Sequence, residues 1–256
     1  MNSAPNKTIL NLYLTAGYPD QATSRTLLQA LLDHPEVDMI ELGMPYSDPL
    51  ADGPVIQHAS QVALESGMTM SGYFELLGSV HNRRQIPVIF MGYFNNVLQY
   101  GVEQFVKHGV SCGMDSCIIP DLPPEVFQHD YQSLFADAGT GLNFLVTPQS
   151  TDRAIRLADA LSHRFIYLVS AGSTTGNTTT DRKHLSEYLR RIDAMQLKSS
   201  RLVGFGISGH EEYRVASEYA DGVIIGSALL RHLAARQFDP SSIHAFIQTI
   251  RYDHTT

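Results

Sequence analysis

Three acids in one short segment, Glu41, Asp48 and Asp52, are the residues most able to do chemistry. Glu41 lies in the run Val37-Asp38-Met39-Ile40-Glu41-Leu42-Gly43, whose brevity and apolar character predict a buried strand. A carboxylate in such a strand is conspicuous, because burying one without a partner is costly. At the strand's C-terminal end, partial desolvation would raise its pKa towards the range useful for proton transfer. Pro45, Pro49, Gly53 and Pro54 restrict the loop that carries the two aspartates past it. Three readings fit these residues. The acids could share acid–base work divided by environment, hold Mg²⁺ through oxygen ligands, or leave Asp48 and Asp52 simply capping turns and the next helix.

A second set of residues suits an anion. Gly204-Phe205-Gly206-Ile207-Ser208 and Gly226-Ser227-Ala228 each follow a short apolar run. Glycine lets backbone approach a bound group, and Ser227 is placed to cap the helix that follows. The N–H groups and dipole of a helix N-terminus then suit a phosphate. Neither motif contains lysine or arginine, so backbone would do the binding. The stretch 170–177, with Gly172, Gly176 and several hydroxyl residues, has the small-residue character of a mobile lid.

These groups need elements to position them. Strand candidates fall at 9–14, 37–42, 88–91, 116–119, 143–146, 165–169, 201–204 and 222–225, each short and rich in Val, Ile, Leu or Phe. Helical patterns fill 22–32, 71–81, 102–108, 125–138, 152–161, 182–195 and 211–218, with two more at 228–232 and 242–252. No linker or change of composition interrupts the alternation. Eight β/α repeats predict an α/β fold, a single-domain (β/α)₈ TIM barrel over residues 1–256, in preference to an open doubly wound sheet. In such a barrel the loops at the C-terminal strand ends share one mouth, where the acids and the glycine motifs would meet.

Bulk properties exclude several classes. With 18 basic against 26 acidic residues and no basic block, the chain lacks the patch a nucleic-acid binder needs. Its apolar runs are strand-sized and its first residues lack a signal-peptide pattern, so a cytoplasmic protein with no membrane span is expected. Cys112 and Cys117 are the only cysteines and read as small buried hydrophobes. The eleven histidines are scattered, without an HxxxH pair, so a zinc site is not expected.

The run from Glu41 to Pro54 resembles the signature of the tryptophan synthase α-subunit family, in which Glu-Leu-Gly, an apolar residue, Pro and an aromatic precede Ser-Asp-Pro-Leu-Ala-Asp-Gly-Pro. The likeness continues at Leu14–Gly17, Met91–Gly101, Pro120–Pro123, Tyr167–Ser170, Gly204–Ser208 and Gly226–Leu229, nearly the whole chain. It implies a TIM-barrel lyase of tryptophan biosynthesis that splits indole-3-glycerol phosphate into indole and glyceraldehyde 3-phosphate. It also implies no cofactor in this chain, with pyridoxal phosphate in a β-subunit partner and an α₂β₂ heterotetramer. By position, Glu41 would be the general acid/base and Asp52 the acceptor of the indole N–H. Tyr167 and Phe205 would pack on the indole; Gly176, Gly206, Gly226 and Ser227 would hold the phosphate. Asp48 would order its loop and communicate with the partner, rather than bind metal. The chain departs from common family residues at Tyr18, Val126, Ala171 and Ser173. Rival readings are a different phosphosugar lyase or isomerase on the same scaffold, a non-catalytic activator of the β subunit, and a stand-alone lyase.

Overall fold

The computed structural model describes residues 8–49, 52–169, 179–204 and 206–252, with the side chains of 179–184 left out. Eight strands, β1 (Ile9–Thr15), β2 (Met39–Gly43), β3 (Val88–Met91), β4 (Ser116–Ile118), β5 (Leu145–Val146), β6 (Phe165–Val169), β7 (Ser200–Gly204) and β8 (Gly222–Ile225), form one parallel sheet in the order 4-3-2-1-8-7-6-5. The two ends meet. Cys117 N–H donates to the Gly141 carbonyl at 2.9 Å and Asn143 N–H to the Cys117 carbonyl at 2.7 Å, pairing β4 with the chain just before β5. The closed sheet with helices outside is the expected (β/α)₈ barrel.

Closure occurs through an approach to β5 too irregular to count as strand, so the expected strand 143–146 is regular only at Leu145–Val146. The buried side chain of Asn143 explains why. It donates to Ser116 Oγ at 2.9 Å and accepts from the backbone N–H groups of Arg164 and Phe165 at 2.9 and 3.2 Å. One amide thus substitutes for ladder bonds where three strands begin. Arg164 also pairs with Asp115 across the same gap.

The strands are buried on both faces, as their composition implies. On β1, Leu10, Leu12 and Leu14 pack towards the helices, while Asn11, Tyr13 and Thr15 take the alternate face, towards the barrel axis. Two helices went unread in the sequence. Pro54–Glu65 begins with proline at its first position after Gly53, an arrangement proline favours, and buries Ile56, Ala59, Ser60 and Ala63. Phe94–Tyr100 is short and has no side-chain cap. The expected helix 125–138 is instead broken by a π-helical segment, Phe127–Tyr131.

Side chains from two helices fix the two ends of the barrel. Tyr73, from the helix Met70–Gly78, donates its hydroxyl to the Leu42 carbonyl at 3.1 Å, tying that helix to β2. At the opposite barrel end, Arg251 of the last helix, Ser242–Arg251, reaches the Thr8 and Glu36 carbonyls, the Tyr213 hydroxyl and Asp38. Among the described residues, no helix is long and apolar enough to cross a membrane.

Candidate active site

Glu41 sits at the centre of β2, paired with Tyr13 of β1 and Ile89 of β3, and is only 3% exposed. Its Oε2 has no hydrogen-bond partner. Burial, reinforced by the charge of Asp52, pushes the Glu41 carboxyl up to about 8. Asp52 is half-buried on the loop after β2, where burial raises it to about 6. Its backbone is held at both ends: Asp52 N–H donates to the Pro49 carbonyl at 3.0 Å, and Gln57 Nε2 donates to the Asp52 carbonyl at 2.9 Å. Gln57 belongs to the helix Pro54–Glu65, so the start of that helix anchors the second acid.

Two tyrosines share the electrostatics of these acids. The Tyr13 phenol is raised well above its usual value, first by burial and then by Asp52 and Glu41. Tyr167 on β6 is raised likewise by burial, then by Glu41 and Asp52. Both rings fit only because glycine stands opposite. A Cβ on Gly43 would overlap the Tyr13 hydroxyl, and one on Gly204 would overlap that of Tyr167. Thr15 Oγ1 donates to the Tyr13 hydroxyl at 3.2 Å. Tyr13, Thr15 and Asn11 were not singled out from the sequence, although polar residues at every second position of an apolar strand were the available signal.

The expected anion end lies on the neighbouring strands. Gly206 follows β7 with φ +74°, a left-handed conformation that favours glycine. Gly226 follows β8, and its Cα side lies against the Tyr13 ring. Gly226 is itself the N-cap of the helix Ser227–Ala235. Ser227 is therefore the first helical residue and not the cap expected of it, and no side-chain cap bond forms there. The helix start still directs unpaired N–H groups to the C-terminal end of β8. So the structure brings together Glu41, Asp52 and Tyr167, and sets Gly226 and Ser227 just after β8, the neighbour of β1, and Gly206 just after β7, the strand beyond it. Phe205, Gly176, Ala171 and Ser173 lie outside the described residues.

Asp48 is exposed, and Ser47 Oγ donates to it at 2.8 Å. Beside it Tyr46 stacks on Tyr93 with centroids 4.8 Å apart, and Asn96 reaches the Pro45 carbonyl, so the loop after β2 leans on the one after β3. Among the described residues, the one group of three side chains near enough to share a metal is elsewhere, His34, Glu36 and His244. There the Glu36 N–H donates to His34 Nδ1 at 3.2 Å, which leaves the proton of a neutral His34 on Nε2, 3.3 Å from His244 Nδ1. This is the geometry of a hydrogen-bonded histidine pair; a metal ligand would instead donate from its second nitrogen.

Comparison with known proteins agrees with this barrel and its motifs. The family model for the tryptophan synthase alpha chain matches residues 1–252. The tryptophan synthase alpha chain of Christiangramia forsetii is 45% identical over 244 residues, covering 95% of this chain and 94% of that protein. That of Flavobacterium psychrophilum is 44% identical, with 96% of each covered. Among solved structures, the alpha chain from Legionella pneumophila superposes with a TM-score of 0.83 at 29% identity, over 96% of this chain and 90% of that one. The aminoacrylate-bound form of tryptophan synthase from M. tuberculosis gives the same TM-score and identity, over 96% and 93%. The chain belongs to the tryptophan synthase alpha chain family.

Proposed function

We propose that this chain, acting as one domain, cleaves indole-3-glycerol phosphate by a retro-aldol reaction in which Glu41 moves the proton and Asp52 holds the indole N–H. The observation that carries this reading is the contrast between the two acids. Near neutral pH the buried Glu41 keeps its proton, while Asp52, raised only to about 6, is mostly ionised. A donor and an anionic acceptor therefore face one site, as general acid–base chemistry requires. Glu41 protonates indole C3, and the ionised Asp52 stabilises the positive charge that develops at the ring nitrogen. Glu41, now a carboxylate, takes the proton of the side-chain hydroxyl. The bond from C3 to the glycerol carbon then breaks, its electrons return to the ring, and indole and an aldehyde result with Glu41 reprotonated.

Tyr167 and Phe205 would hold the indole, and the backbone N–H groups around Gly176, Gly206, Gly226 and Ser227 would take the phosphate. No organic cofactor is needed for these steps. A pyridoxal-phosphate β subunit would take up the indole, in an α₂β₂ assembly with Asp48 and its loop on the communicating side; a cytoplasmic location would follow. The test is indole release from indole-3-glycerol phosphate by the purified chain, with and without the β subunit. Turnover that rises with the partner is expected. No indole under either condition would overturn the reading and favour a non-catalytic activator.

A further inference from the structure

Among the described residues, three buried side-chain atoms of the barrel interior have no hydrogen-bond partner: Oδ1 and Nδ2 of Asn11, and Oε2 of Glu41. Asn11 is fully buried on β1. Strand alternation puts it on the same face as Tyr13, and Tyr13 is the register partner of Glu41. Asn11 and Glu41 are thus diagonal neighbours, one strand apart and two residues along, roughly 8 Å between Cα atoms from ordinary strand spacings. Both stand on the strand face turned to the barrel axis.

Leaving such groups unsatisfied costs about 1–3 kcal/mol each, and an apolar residue at position 11 would avoid it. A water with a donor on one side and an acceptor on the other satisfies both, and spans about 4–5.5 Å between the atoms it joins. We propose that Asn11 is a positioning residue for Glu41, acting through a buried water that accepts from Asn11 Nδ2 and donates to Glu41 Oε2. This role rests on Glu41 being the proton carrier of the proposed reaction. Such a water stabilises the ionised carboxylate against burial. It therefore holds Glu41 where it can both give and take a proton. The other titratable groups acting on Glu41 are Asp52 from the loop, Tyr13 from β1, Tyr167 from β6 and Tyr73 from the helix outside β2. Among the described residues all of these are acids or phenols, and none supplies a positive charge to do the same.

The experiment compares the full chain with Asn11→Leu and Asn11→Ser, following the Glu41 carboxyl by ¹³C NMR difference against Glu41→Gln. In Asn11→Leu the Glu41 midpoint should rise by at least about half a pH unit, and in Asn11→Ser by less. The pH profile of indole release should move the same way, with kcat lowered several-fold and KM nearly unchanged. Asn11→Ala replaces the leucine variant if that does not fold. A high-resolution crystal structure of the unaltered chain should place an ordered water within about 3.2 Å of both side chains. An unmoved Glu41 midpoint in the apolar variant, or no such water, would overturn the proposal. A chain that releases no indole yet keeps the NMR shift would sink the lyase reading and leave the Asn11–Glu41 link standing.

Discussion

Glu41 and Asp52 differ in protonation because the strand buries one fully and the loop leaves the other partly in water. General acid–base assistance is worth on the order of 10²–10⁴-fold, so Glu41→Gln should fold normally and lose about that much indole release. Turnover within about tenfold of the unaltered chain would remove Glu41 from its proposed role. The same burial has a consequence for stability. The folded-state pKa of Glu41 lies above its ordinary value of 4.5, so the folded chain binds this proton more tightly than the unfolded chain does. Its contribution is complete below about pH 4.5 and is lost as pH rises through about 8. Glu41→Gln should therefore melt higher than the parent at pH 8, with the gap closing towards pH 5; parallel melting curves across that range would contradict the assignment. Gly204 offers a steric test. Gly204→Ala would force the Tyr167 hydroxyl aside, and overpacking of this kind costs about 1–3 kcal/mol. Thermal denaturation should register that loss, and turnover should fall with it because Tyr167 shares the acids' environment.

At the scale of elements, the site depends on how β2 and its loop are gripped from outside. Tyr73→Phe removes the hydroxyl that meets the Leu42 carbonyl, the backbone group next to Glu41. A buried hydrogen bond of this type contributes about 1 kcal/mol. The variant should melt lower by that amount, and its indole release should drop more than a remote substitution of equal cost would cause. The helix Pro54–Glu65 plays the matching part for Asp52 through Gln57. This helix was missed because its proline and the preceding glycine read as a restricted loop, although proline is at ease in the first helical turn. The capping role expected of Ser227 failed for a related reason. The local pattern of Gly-Ser before an apolar run fits a helix starting at either residue, and only the path of the chain out of β8 selects Gly226 as the cap.

At the scale of the molecule the barrel separates duties between its two ends. The acids and the glycine motifs gather at the C-terminal strand ends, while Arg251, Glu36, Asp38, Asp115 and Arg164 cluster where strands begin. Arg251 is 7% exposed and joins the last helix to the segments leading into β1 and β2. Arg251→Met would remove the donor that serves the Thr8 and Glu36 carbonyls and the Tyr213 hydroxyl, while Asp38 keeps the Leu10 N–H, costing about 2 kcal/mol. Because this end is remote from the acids, kcat measured well below the melting temperature should stay close to that of the parent. A large fall in kcat there would mean that the two ends are coupled through the barrel.

The sequence by itself determined the alternation of strands and helices, the number of strands, and the segment carrying the acids. Composition and spacing set these, and they survive in any chain with the same local pattern. It also carried the family likeness, because the run from Glu41 to Pro54 is contiguous. Tertiary structure alone decided which strand face looks inward. The alternation of Asn11, Tyr13 and Thr15 with leucines marks one face of β1, but in a strand buried on both sides it does not say which face is inner, and only pairing with β2 sets that face beside Glu41. Tertiary structure alone also closed the barrel between β4 and β5, where Asn143 takes the place of regular pairing. And it decided how far each carboxylate lies from water, which no spacing encodes and from which the different pKa values of Glu41 and Asp52 arise.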